Sequence, residues 1–190
     1  MTDQQEKSDL ELHLNFSLTQ EELKDSRLGL ERFHEVVQLD PDEVRDIAKC
    51  ESAEIAIGSV GKGASNWGVD VVLVAKVFGG IGATINLGER ILKVVRWVRK
   101  KRPGSGLVLR DAQTVGVIAL GNYSSKRKLK NGTLLGTYCV TGSNTGIGFD
   151  SRDVWVTLIV KQDGSLLLIW TSSNGAPLGE QLIDPPVSVV

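Results

Sequence analysis

Aromatic residues make up only 5% of this 190-residue chain, so its core has to be built mainly from Val, Leu and Ile. Cysteine is scarcer still. Cys50 and Cys139, with 88 residues between them, exclude a disulfide-stapled scaffold and a cysteine-rich metal domain. Two widely separated thiols fit a reducing compartment, where they stay unpaired. The only histidines, His13 and His34, leave little material for histidine catalysis or a histidine-ligated metal. The N-terminus, MTDQQEKSDLE, has no basic region followed by an apolar run and a small-residue cleavage site, so a cytoplasmic address is expected. The remaining composition is 41% apolar and 24% charged, which excludes a disordered chain.

The formal net charge of -1 hides an asymmetry along the chain. Residues 1–66 carry 15 acids and 7 bases, residues 67–130 carry 13 bases and 3 acids, and residues 131–190 carry 2 bases and 5 acids. The basic third includes Arg96, Arg99, Lys100, Lys101 and Arg102, then Lys126, Arg127, Lys128 and Lys130. Such a block attracts phosphate, anionic lipid or the acidic third of its own fold. It lacks interleaved aromatics for stacking on single strands and lies in no recognition motif, so nucleic acid is not expected.

Leu10-Glu11-Leu12-His13-Leu14-Asn15-Phe16 alternates apolar and polar residues, the period of a half-buried strand, with His13 on the polar face. Thr19 and Glu22 have the spacing of a capping box at the start of a helix over 20–37. Asp40-Pro41 starts a second, short helix, and residues 53–59 read as a strand. Over 67–102, apolar residues recur at three- and four-residue steps; a helix is expected from Ala83, while Val-rich 69–77 reads as helix or strand. Pro103-Gly104 stops that helix. Residues 107–109 form a strand leading to Asp111, and 112–123 fit a helix that Gly116 and Gly121 disfavour. The rest is β-rich: a strand over 133–140, then a hairpin of 154–160 and 166–171 around Lys161-Gln162-Asp163-Gly164. Both hairpin strands are near-continuous apolar runs, as in strands covered on both faces.

Few constellations carry chemistry. Gly58-Ser59-Val60-Gly61-Lys62-Gly63 resembles a phosphate-binding loop, but Ala56 replaces its first glycine and Gly63 its magnesium-binding hydroxyl. Residues 71–75, then Gly79-Gly80-Ile81-Gly82, a helix, a strand and Asp111 imitate a dinucleotide-binding unit whose third glycine is Ile85. The apolar stretch 71–87 contains Lys76 and falls short of the about 20 residues a span needs. Lying on an anionic lipid surface is a better membrane reading for 67–102 than crossing it. No nucleophile motif accompanies either histidine, and Asp40/Asp42 and Asp150/Asp153 are acidic pairs typical of helix starts and turns. No enzyme, cofactor or metal is expected.

An N-terminal strand and helix are followed by Gly68-Val69-Asp70-Val71-Val72-Leu73-Val74, the Gly/Ala-rich turn over 79–83, and Ile91-Leu92-Lys93-Val94-Val95-Arg96-Trp97-Val98-Arg99-Lys100 before the strand at 107–109. In this pattern residues 10–111 resemble the effector-associated constant component domains, small bacterial modules that accompany conflict-system and signalling effectors. It implies an interaction domain coupling an effector to a sensor or to another copy of itself. The stretch 40–52 and everything after 111 depart from that pattern; the latter is similar in layout to cystatin-like accessory domains.

The expected architecture is therefore α+β, with a ferredoxin-like N-terminal layer and a long amphipathic helix within residues 1–110. An antiparallel β-rich unit follows over 111–190, unless one domain spans both. The expected function is a non-enzymatic interaction or adaptor module of bacterial effector or defence systems. Its binding residues are Arg96, Arg99, Lys100 and Arg102 at the basic end of the helix. The alternatives are a membrane-active protein using 67–102 on anionic lipid, peripheral at the inner membrane face, and a small nucleotide-binding enzyme.

Overall fold

A computed structural model describes residues 8–19, 22, 37–59, 67–77, 80–124, 129, 132–140 and 153–185. It is α+β, with three helices and two antiparallel four-stranded sheets among the described residues. Sheet A contains β1 (Ser8–Ser17), β2 (Ser52–Ser59), β3 (Trp67–Val77) and the short β4 (Leu107–Val108), in lateral order β2-β3-β1-β4. Alternation decides its inner face. Leu12, Leu14 and Phe16 on β1, and Val69, Val71 and Leu73 on β3, are fully buried, while His13, Asp70 and Val72 point to the opposite side.

Two helices belong to the first half. α1 (Pro41–Ala48) starts where Asp40 caps it, its side chain accepting from Asp42 N–H, and ends on Lys49 in the left-handed region. α2 (Gly80–Lys101) buries Leu87, Ile91, Val94 and Val98 against the sheet. Trp97 and Lys101 tie its C-terminal end to α1: the indole N–H donates to Glu43 at 2.8 Å, and the ammonium lies 3.8 Å from the same carboxylate. The helix expected over 20–37 lies, apart from Glu22 and Val37, outside the described residues. Its capping box is seen: Thr19 N–H donates to Glu22 at 2.7 Å, and Glu22 N–H to the Thr19 hydroxyl at 3.2 Å.

This order changes three readings of the sequence. The stretch 67–102 is not one helix, because its first part is β3, a central strand whose alternate residues fill the core. Detaching it for a lipid surface would remove the middle of sheet A. The glycine-rich residues 58–63 begin at the end of β2 and connect to antiparallel β3, whereas a phosphate-binding loop needs a helix next. β1 lies between β3 and β4, so the parallel strands flanking α2 are not neighbours, as a dinucleotide-binding unit requires.

α3 (Ala112–Ser124) stands between the two sheets. Asp111 caps it, accepting from Thr114 N–H at 2.6 Å, and is thereby occupied as a helix cap rather than as a ribose ligand. The Thr114 hydroxyl in turn accepts His13 N–H at 2.9 Å, which satisfies a backbone donor of β1 beyond the short β4. Sheet B comprises β5 (Gly132–Cys139), β6 (Val154–Lys161), β7 (Leu166–Ser172) and β8 (Pro177–Ile183), in that order. β8 has no counterpart among the strands expected from the sequence. Ile159, Leu167 and Ile169 of sheet B pack with Ala119 and Leu120 of α3 and Ile81 and Ile85 of α2. Val115, Ile118 and Trp155 join the apolar cluster of sheet A, so buried contacts run across residues 110 and 111.

The helices α2 and α3 meet through glycine. Cβ atoms added at Gly88 or Gly121 would press on backbone: Gly88 on Val117 O and on Gly121 N at 2.7 Å, Gly121 on Gly88 O at 2.7 Å and Glu89 N at 2.8 Å. Gly121, which weakens a helix taken alone, is what lets this one fit. No helix among the described residues is long and apolar enough to cross a membrane.

Candidate binding groove

On α2 the stripe facing the core leaves the opposite face to Lys93, Arg96, Arg99 and Lys100, all exposed. Arg96 and Arg99 are three residues apart, which brings their side chains to one side of the helix. There they border a groove of about 400 Å³. Its floor is apolar, formed by Leu92 and Val95 of α2, Leu107 of β4 and Ile118 of α3. The far wall is the turn between β7 and β8, residues 174–177, with Asn122 of α3 at the corner.

That wall is fixed by hydrogen bonds. Asn122 donates its side-chain N–H to Gly175 O at 3.0 Å, and Leu109 N–H donates to Ser173 O at 2.6 Å. Gly175 has φ of 78° and sits against Leu107 and Ile118, so the turn needs glycine for its conformation and for space. Beyond Asn122 and Pro177 the groove continues into a second hollow of about 290 Å³ beneath β8, lined by Tyr123, Ile169, Leu178 and Glu180. Leu178 is 55% exposed.

Neither Arg96 nor Arg99 makes an ion pair among the described residues. Two guanidiniums beside an apolar floor suit a carboxylate or phosphate, which each fork can grip with two parallel hydrogen bonds while an attached apolar group meets the floor. Lys100 is exposed outside the groove. Arg102 is a correction to the expected exposed basic end, being only 3% exposed. Its Nε and Nη2 each donate to Glu22 at 2.7 Å, and Nη2 also donates to Ser17 O at 3.2 Å. The chain leaves α2 at this residue and turns inward, so the basic run divides. Lys126, Arg127, Lys128 and Lys130 lie outside the described residues.

A second polar cluster occupies the outer face of sheet A. His13 Nδ1 lies 3.0 Å from Asp70 and Nε2 lies 3.0 Å from Glu11. Both ring nitrogens face carboxylates, which leaves neither free to draw a proton from a nucleophile. The Asp70 hydrogen bond raises the His13 pKa above its ordinary value; partial burial opposes this, and Glu11 and Asp111 reinforce it, while Arg110 stands beside Asp70. A raised folded-state pKa stabilises the fold fully below the unfolded value of about 6.5 and ceases to as pH climbs through the folded value. The wild-type melting temperature should therefore fall between pH 6 and 8 by more than that of His13→Gln; parallel profiles would dismiss the linkage.

Among the described residues no three His, Cys, Asp or Glu side chains come together to hold a metal ion. The acidic pair Asp40/Asp42 is the start of α1. Asp153 is buried below sheet B, its carbonyl accepting Ser173 N–H, and Asp150 lies outside the described residues. The far wall of the groove has no signal in the sequence, because Asn122 reaches α2 through the glycine crossing of α2 and α3, and residues 174–177 reach it through the fold of sheet B. Compared with protein-family models, with curated proteins and with solved structures, the chain matches none.

Proposed function

We propose that this chain is a non-enzymatic interaction module, an adaptor for a bacterial effector, which holds an acidic segment of its partner at Arg96 and Arg99. The observation that carries this reading is the pair of guanidiniums, exposed and without ion-pair partners among the described residues, at the mouth of an apolar-floored groove. Around the arginines the groove brings two asparagines and hydrocarbon, with no base or nucleophile beside them; Tyr123 and Glu180 line the hollow beyond Pro177. The resemblance of residues 10–111 to effector-associated modules supports the same reading, with a cytoplasmic setting. Lys100, exposed one turn from Arg96, adds to the positive potential that steers an acidic partner.

The test compares wild type with Arg96→Glu/Arg99→Glu, each captured from soluble and membrane fractions of native lysate. A soluble protein recovered in stoichiometric amount with wild type should bind the variant at least about tenfold more weakly. The melting temperature should be unchanged, because both side chains are exposed. Undiminished recovery would remove the groove from consideration. Recovery with membranes alone, reproduced by salt-sensitive flotation on anionic liposomes, would move the reading to lipid.

A further inference from the structure

The two sheets treat their outer faces differently. That of sheet A carries Glu11, His13, Glu54, Asp70 and Lys76, the usual polar dress of a sheet that meets water. On sheet B the outward positions of β6 are Val154, Val156, Leu158 and Val160, which pair with Ser172, Trp170, Leu168 and Leu166 of β7; Val156 is buried between its neighbours and the others are half-buried. Tyr138, opposite Val156, extends the apolar surface across β5, and Ile183, opposite Leu166, extends it across β8. Tyr138 is 53% exposed and Ile183 44%. No outward position of the four strands carries a charge.

We infer that this face pairs with the same face of a second copy of the chain, sheet upon sheet about a twofold axis. Strands about 24 Å long at a spacing of about 4.8 Å give about 450 Å² of flat area per copy. Two copies bring about 900 Å² of flat area together, and the relief of the side chains adds to this toward the about 1,200 Å² at which specific interfaces begin. An uncharged face offers a foreign partner no electrostatic register. A twofold pairing needs none, since each Val and Leu ridge meets its own kind, and sheets packed with strands within about 30° of one another interdigitate in this way. Trp170, flanked by Val156 and Gly179, is the side chain best placed to anchor it. The inference is independent of the arginine groove, which opens beside the helices on the other side of sheet B.

Sedimentation equilibrium of the full chain, from about 1 to 200 µM, is expected to show a dimer whose melting temperature rises with concentration. Tyr138→Lys and Ile183→Lys change exposed side chains on strand edges, where the monomer tolerates charge. Each should weaken the dimer at least about tenfold while the far-UV spectrum stays that of wild type. A monomer at every concentration overturns the self-pairing and leaves the face to a different protein. A dimer insensitive to both substitutions overturns it too, because the contact then lies elsewhere.

Discussion

Gly121→Val should lower the stability of the fold by about 3 kcal/mol or more, the upper range of overpacking in a close-packed interior. The strain is unusually hard to relieve. The added atoms meet backbone of α2, at Gly88 and Glu89, and backbone cannot change rotamer. Relief requires α2 and α3 to part, yet α2 is pressed on sheet A and α3 is held between the sheets. Gly121→Ala should be milder, about 2 kcal/mol, since alanine recovers about 1 kcal/mol of helix propensity. Gly82→Ala is the control: it lies in α2, the other helix of the crossing, is exposed and has nothing within 4 Å of its added Cβ. That variant should gain up to about 1 kcal/mol. Urea midpoints for the three proteins decide the matter, and equal midpoints for Gly82→Ala and Gly121→Ala would refute a glycine-dependent crossing.

The other large effect lies at the buried ion pair. Removing the guanidinium with Arg102→Met should cost about 3 to 5 kcal/mol at pH 7, because it strands the Glu22 carboxylate with almost no access to water. Burial alone pushes the Glu22 pKa up, but the Arg102 and Thr19 hydrogen bonds outweigh it and hold the group below its ordinary value. A lowered folded-state pKa stabilises the fold above the unfolded value and stops doing so as pH falls through the folded one. In Arg102→Met only the Thr19 hydrogen bonds still oppose burial, so the Glu22 pKa moves up from where Arg102 holds it, and the variant recovers stability relative to wild type on acidification. Glu22→Gln combined with Arg102→Met should cost less than the sum of the single changes, since neither then leaves a lone charge. An additive cycle, or an Arg102→Met penalty independent of pH, would show that the pair contributes only as packed volume.

Much of this architecture is visible in short-range pattern. The alternation from Leu10 to Phe16, the Thr19–Glu22 box, the Asp40-Pro41 start and the turn at 161–164 are local arrangements, and each is seen where the sequence puts it. Residues 69–77 were ambiguous because a valine-rich run satisfies two periods over a short window; the flanking strands decide for β3. α3 was ambiguous for a different reason. A helix enclosed by two sheets and a second helix is apolar all round, so it has no stripe to read, and its glycines are explained only by distant residues, Gly121 by Gly88 and Gly116 by Thr137 of β5. For the groove, Arg96 and Arg99 followed from exposure on an amphipathic helix. Arg102 did not, because its partner is 80 residues distant and nothing nearby announces it.

β1, made before every other strand of its sheet, ends up inside sheet A with β3 on one side and β4 on the other. Ser8 pairs with Val77 and Asn15 with Val108, so the strand is made well before either neighbour. Sheet A therefore cannot grow from the ribosome outward in chain order. Its assembly requires closure of long loops before hydrogen bonds repay the lost freedom, which places the protein among slow, nonlocal folders. Until then an alternating apolar strand stands with both edges open, the condition in which a strand is most exposed to pairing with another chain.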